Sequence, residues 1–223
     1  MGRSLVDIIS CGNDDSRTNH NGKSVMSSIG RQAKSPSEHQ QQALMAWLET
    51  RKHTDRNRLI VLLSYKAGLR AKEIASLKWS MVMNADGAVG DHMHLTNDAS
   101  KGKSGRVIAL NKDLKKQLIK VKETEGITIA DAGQSVIQTQ RGQGTSAQVI
   151  VNSFGEWYRK LGFLGCSSHS GRRSFITQAA RKVSLVGDSL RDVQALAGRA
   201  SLTTTSRYIE MDAEAQSRLV NMV

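Results

Sequence analysis

A short stretch toward the C-terminal end, H-S-G-R-R-S-F at residues 169–175, sets an imidazole and a guanidinium three residues apart, His169 and Arg172. On a helix that spacing puts both on one face. Further on lie Gly198 and Arg199, and nine residues after Arg199 comes Tyr208. An imidazole, guanidinium groups and a phenol in this order suit covalent attack on a phosphodiester. Phosphoryl transfer depends largely on positioning and on neutralising charge on the equatorial oxygens. Arg70, Arg172 and Arg199 are candidate donors to those oxygens. The Tyr208 phenol is a weak nucleophile at its ordinary pKa, so removal of its proton must be assisted. His169 is a candidate helper, a role that adjacent guanidinium groups and the phosphate can share.

Two upstream segments carry further candidates. The first is A-G-L-R-A-K-E-I-A-S-L-K-W at residues 67–79. Arg70 sits just after Gly68, where one helix is expected to end and another to begin, so its guanidinium can point out of the core toward an anion. Glu73, three residues on, can hold Arg70 by a charge-assisted bond. In isolation, R-x-x-E is as well read as a surface salt bridge. The second segment is S-K-G-K-S-G-R-V-I-A-L at residues 100–110, which places Lys101 and Lys103 in a turn leading into a strand.

The elements that must position these residues are mostly helical. Residues 10–34 are rich in Ser, Asn, Gly, Asp and Arg and bury too little apolar surface to offset chain entropy. Residues 1–34 are therefore expected to be a flexible N-terminal tail, and residues 35–223 a folded domain. Ser35 is expected to cap the first helix, with Pro36 in its first position and Glu38 completing a capping box. Leu44, Trp47 and Leu48 fall on one face. Further helices are expected over 55–67, ended by Gly68, and over 71–77. Residues 80–110 change character: Asn84, Asp86, Gly87 and Gly90 are turn residues, and 92–96 and 106–110 read as two strands of a small antiparallel sheet. Helices follow over 111–124, 146–161, 169–182, 189–197, 202–207 and 213–223. The fold class is mainly α with a small antiparallel β-sheet insertion after the third helix (α+β).

The formal net charge of +12 favours a polyanionic partner, either nucleic acid or an acidic membrane surface. No run of about 18 apolar residues suggests a membrane-spanning helix, and the apolar stretch at the N-terminus is too short for a secretory signal. Cys11 and Cys166 offer neither a disulfide framework nor a zinc set, which fits a reducing cytoplasm. Cys166 lies three residues before His169. A Cys–His nucleophile pair is one reading, and a small residue entering a helix is the preferred one. His92 and His94 share one face of a strand, but no third metal ligand is evident nearby, so a plain hairpin is the better account.

Together these segments resemble the catalytic domain of the tyrosine recombinases, the phage integrase family, over about residues 36–210. The resemblance implies the tyrosine recombinase catalytic-domain fold. It also implies a site-specific recombinase or integrase, of a mobile element, that cleaves and rejoins DNA through a 3′-phosphotyrosine. Arg70 would bind the scissile phosphate and Glu73 would support the site. Lys101 would act as general acid on the leaving 5′-oxygen, with Lys103 the competing candidate. His169 and Arg172 match the H-x-x-R motif, and Tyr208 occupies the nucleophile position. Arg199 stands where the family usually has His or Trp. It can donate a hydrogen bond to a non-bridging oxygen but cannot act as a general acid–base near neutral pH. Gly171, unusual in a helix, is expected to permit close approach of DNA backbone.

No cofactor or metal is expected, since a phosphotyrosine keeps the bond energy and no carboxylate cluster stands out. The partners implied are double-stranded DNA and three further copies in a homotetramer, with no membrane and no small-molecule substrate, in the cytoplasm with the nucleoid. Only the short tail precedes the catalytic region. That is expected either of a minimal recombinase, similar to the fimbrial phase-variation invertases and lacking a core-binding domain, or of a fragment of a longer gene. A DNA-binding regulator that kept the fold with weak or no catalysis, and a type IB topoisomerase, are the alternatives.

Overall fold

In the computed structural model, described over residues 33–98, 105–139, 144–183 and 189–198, helix α1 spans Glu38–Glu49. Its cap falls two residues later than expected, at Ser37 rather than Ser35. Ser37 Oγ accepts from the Gln40 amide at 3.2 Å, and Gln40 Oε1 accepts from the Ser37 amide at 2.9 Å. The capping box is thus S-x-x-Q, and Glu38 instead lends its charge to the first turn. Pro36 lies outside the helix, buried, and its carbonyl accepts from Gln41 Nε2 at 3.1 Å. Leu44 and Leu48 face inward. Trp47 is half-buried beneath the Arg51 guanidinium, 4.4 Å from its ring centroid.

Helix α2 (Thr54–Lys66) is the central post. Residues 59–63 are all buried, so its apolar surface runs round the whole helix rather than along one stripe. It is packed by α1, by α3 (Ala71–Ala75), by α4 (Lys112–Thr124) and by α6 (Ser170–Lys182). Gly68, at φ 64°, turns the chain between α2 and α3. Helix α3 stops two residues short of the expected 77, and a single 3₁₀ turn follows at Trp79–Met81. The hairpin pairs β1 (His92–Leu95) with β2 (Arg106–Ala109) antiparallel, Met93 opposite Ile108 and Leu95 opposite Arg106. Met93, Leu95 and Ile108 turn to the core, while His92 and His94 share the exposed face.

Helix α4 is capped by Asn111 and α5 (Ala147–Lys160) by Ser146, each through a side-chain oxygen accepting a first-turn amide. Between them the chain returns to the end of α3, where the Val136 amide donates to the Leu77 carbonyl at 2.8 Å. Helix α7 (Leu190–Leu196) packs on α6 through Ile176, Ala180, Val193 and Ala197. It also packs against β2. The fold is therefore mainly helical with a two-stranded antiparallel insertion. Helices expected over 202–207 and 213–223 lie outside the described residues. Among the described residues, no helix is long and apolar enough to cross a membrane.

Gly171 has a different task from the one expected of it. It is buried in the first turn of α6, facing α2 rather than an open surface. A methyl group there would meet Ser64 Oγ and come within 2.8 Å of Tyr65 Cδ2. The glycine lets α6 lie close on α2. The Tyr65 ring has little freedom to retreat, because its hydroxyl hydrogen-bonds Tyr158 at 2.8 Å in the core. Gly171→Ala is expected to cost about 1–3 kcal/mol, the usual penalty for overpacking. Urea unfolding of the two proteins measures it.

Candidate active site

Three arginines converge on one carboxylate. Arg70 is the N-cap of α3, with extended backbone at φ −79°, ψ 157°. Glu73 is the third residue of that helix, and its Oε2 accepts from the Arg70 amide at 2.8 Å. The side chains pair as well, Arg70 Nη1 to Glu73 Oε1 at 2.9 Å. From β2, Arg106 adds a fork: Nη1 to Oε1 at 3.0 Å and Nη2 to Oε2 at 3.2 Å. From α6, Arg172 Nη1 lies 3.9 Å from Oε2. Arg172 is anchored by two carbonyls, donating from Nη1 to Gly68 at 2.6 Å and from Nη2 to Ala197.

The electrostatics follow from burial. Glu73 has no side-chain exposure, and Arg106 and Arg172 have 7% and 6%, whereas Arg70 keeps 27%. Burial alone would raise the Glu73 carboxyl. The hydrogen bonds and charge of Arg106, then the amide and charge of Arg70, outweigh it and hold the group below the usual carboxylate range. Among the described residues three guanidinium groups meet one carboxylate, so positive charge predominates there. Arg70, the most exposed of the three, presents it to solvent. Such a surplus suits an anion with several acceptor oxygens.

Of the sequence-derived candidates, Arg70, Glu73 and Arg172 meet here. His169 does not join them. It is the N-cap of α6, exposed, with its amide donating to Ser167 Oγ at 3.3 Å, and among the described residues its ring has no hydrogen-bond partner. His169 has helical backbone and its carbonyl accepts from the Arg173 amide at 3.0 Å, but its side chain is exposed while Arg172 is buried. Lys101, Arg199 and Tyr208 lie outside the described residues. Arg106 is the member that sequence reasoning missed. A signal was present: Arg106 and Ile108 alternate onto one face of β2, and Ile108 is buried. An arginine on an inward face requires a carboxylate.

Other candidates for nucleophile fall away. The chain has three tyrosines. Tyr65 and Tyr158 are buried and bonded to each other, and burial pushes both phenols far above their ordinary range. Cys166 is half-buried, and burial raises its thiol against the weaker influences of Ser170 and Lys34. Neither phenol nor thiol is activated.

The sign of the Glu73 effect sets a test. Its folded pKa is depressed, so its contribution is full above the unfolded value of about 4.3 and is lost as pH falls through the folded pKa. Glu73→Gln is expected to cost about 3–5 kcal/mol at neutral pH, because it leaves buried guanidinium groups without their counter-charge. The gap to wild type should narrow as pH falls into the acid range. Urea unfolding at pH 7 and at about pH 3.5 checks both the size and the trend.

The model of the phage integrase family matches residues 35–215. Among curated relatives, the tyrosine recombinase XerA of Pyrococcus furiosus is 30% identical over 161 residues, covering 71% of this chain and 51% of the relative. Tyrosine recombinase XerC of Lactobacillus leichmannii is 28% identical over 159 residues, covering 70% of this chain and 50% of that protein. The chain thus spans about half the length of the curated relatives it matches. Among solved structures, a XerA recombinase superposes with a TM-score of 0.64 at 19% identity, covering 84% of this chain and 64% of that one. XerH site-specific recombinase, in a post-cleavage complex with a palindromic difH substrate, gives 0.65 at 18% identity, covering 87% and 54%. With the family model spanning most of its length and the fold in agreement, the chain belongs to the phage integrase family of tyrosine recombinases.

Proposed function

We propose that this chain is the catalytic part of a site-specific recombinase that cleaves and rejoins double-stranded DNA through a 3′-phosphotyrosine. The observation that carries the reading is the arginine cluster around buried Glu73, with its positive surplus presented by Arg70. In this reading Arg70 grips the scissile phosphate, and Glu73 keeps its guanidinium aimed. Arg172 supplies positive potential from behind. The Tyr208 oxygen attacks phosphorus as the bond to the 5′-oxygen breaks. The phenol proton leaves to His169, or to the phosphate and neighbouring guanidinium groups. Lys101 gives its proton to the departing 5′-oxygen. Arg199 donates a hydrogen bond to a non-bridging oxygen. Rejoining reverses the step with the 5′-hydroxyl of another strand, without ATP.

The described flanks support this assembly. Arg106, five residues after Lys101, bonds the Leu196 carbonyl at 2.9 Å, and Gly198 lies one peptide bond before Arg199. Exclusion of Tyr65 and Tyr158 leaves Tyr208 as the candidate phenol. Exchange between two duplexes calls for a homotetramer on DNA, acting in the cytoplasm where the nucleoid lies.

Two observations favour a second reading, a DNA-binding regulator of the same fold. Arg199 stands where an imidazole or indole is usual, and Arg172 is already engaged by two carbonyls. A nicked suicide duplex, run on a denaturing gel, separates the readings. Wild type is expected to form a covalent adduct. Tyr208→Phe is expected to form none while shifting the same duplex on a native gel. Adducts persisting in Tyr208→Phe remove Tyr208 as nucleophile. An inert wild type that gains adducts with Arg199→His establishes the regulator.

The general acid has its own test. Lys101→Ala is expected to cleave ordinary DNA slowly and to recover on a substrate whose leaving oxygen is replaced by sulfur, because a thiolate departs without a proton donor. Rescue of Lys103→Ala instead assigns the role to Lys103. Rescue of neither moves it elsewhere.

A further inference from the structure

Arg106 is nearly buried, so its guanidinium does not face a substrate, yet each of its three nitrogens has a partner. Nη1 and Nη2 clasp the two oxygens of Glu73, and Nε donates to the Leu196 carbonyl at the end of α7. A guanidinium is planar and rigid, so these three directions are fixed relative to one another. The carboxylate of α3 and the last turn of α7 are thereby held at one spacing by a side chain from the hairpin. Gly198 records how close that contact is. At φ 52° its backbone lies against the arginine, and a methyl group there would sit 2.7 Å from Arg106 Nη1.

We propose that Arg106 is a positioning residue of this site: it holds Glu73, and through it Arg70, while fixing the end of α7 from which Arg199 departs. The catalytic consequence rests on the recombinase reading above; the positional one does not. Three charged groups face Glu73: Arg70 from its own helix, Arg106 from β2 and Arg172 from α6. The two strongest influences opposing its burial both come from Arg106. Without them the Glu73 carboxyl should titrate at higher pH. Arg70 then loses its counter-charge on the acid side, and activity returns as pH is raised.

The test compares wild type, Arg106→Gln and Arg106→Lys in the full chain. Carbon-13 NMR follows the Glu73 carboxyl, and amide hydrogen exchange follows residues 195–198. Single-turnover cleavage of the suicide duplex is measured against pH. For Arg106→Gln, the Glu73 titration should move up, exchange at the end of α7 should rise, and cleavage should fall by about 10²-fold, the scale of a small misplacement. Its acid limb should shift to higher pH, while DNA affinity stays within about twofold, since the Arg106 guanidinium is nearly buried. Arg106→Lys keeps the charge but not the fork, so it should restore much of the Glu73 titration and little of the α7 protection. If Arg106→Gln does not fold, Arg106→Lys alone decides through that split. An unmoved Glu73 titration together with unmoved exchange overturns the proposal. So does an active wild type whose cleavage and acid limb are untouched by Arg106→Gln. An inert wild type overturns the recombinase reading instead, and the NMR and exchange results still decide Arg106.

Discussion

A carboxylate sealed from solvent stays ionised only where its surroundings replace the hydration it has lost. Glu73 meets that condition by drawing on three parts of the chain at once: the first turn of α3, the start of β2 and the face of α6. Each of these segments also has its own apolar packing, and Glu73 is where they meet. Glu73 is the common partner, and Arg106, nearly buried, depends on it in turn. The arrangement is mutually conditional, with neither sign of charge tolerable in that place without the other.

Packing supplies the frame that makes the convergence possible. Helix α2, buried on nearly every side, sets the positions of α1, α3, α4 and α6. The close seat of α6 at Gly171 brings Arg172 to the carbonyl of Gly68, the residue that turns the chain into α3. Helix α7 packs on α6 through apolar residues, and its last turn is also tied by polar contacts, the Leu196 and Ala197 carbonyls taking hydrogen bonds from Arg106 and Arg172. The end of the helix is thus bonded to two of the cations that surround Glu73.

Much of this was legible in the residues, and what was not has physical causes. Helical periodicity and alternation located the seven helices and the hairpin of the described residues because apolar faces repeat in ways that local sequence records. The first cap was misplaced because Ser35 and Ser37 both head plausible boxes, and only the side chain of Gln40 decides between them. Arg70, Glu73 and Arg172 could be read from motifs that keep their spacing within one segment. Arg106 could not be assigned to Glu73 that way, because its partner lies 33 residues away and the pairing is tertiary. Gly171 was read as an opening toward DNA backbone, since sequence does not say which side of a helix its neighbour occupies. Spacing put His169 and Arg172 in one turn of helix but did not record that Arg172 is buried and His169 exposed.

The surplus charge of the cluster also bears on the stability of the molecule as a whole. Guanidinium groups crowded about a single carboxylate repel one another, and that repulsion is a standing cost of the folded state. An anion seated against Arg70 relieves it, and the unfolded chain has no comparable seat. Occupancy of the site and persistence of the fold are therefore thermodynamically linked, with stability rising as RT ln(1 + [L]/Kd) for an anion that binds the folded form alone. An anion of the kind proposed would in this sense complete the electrostatics of the native state.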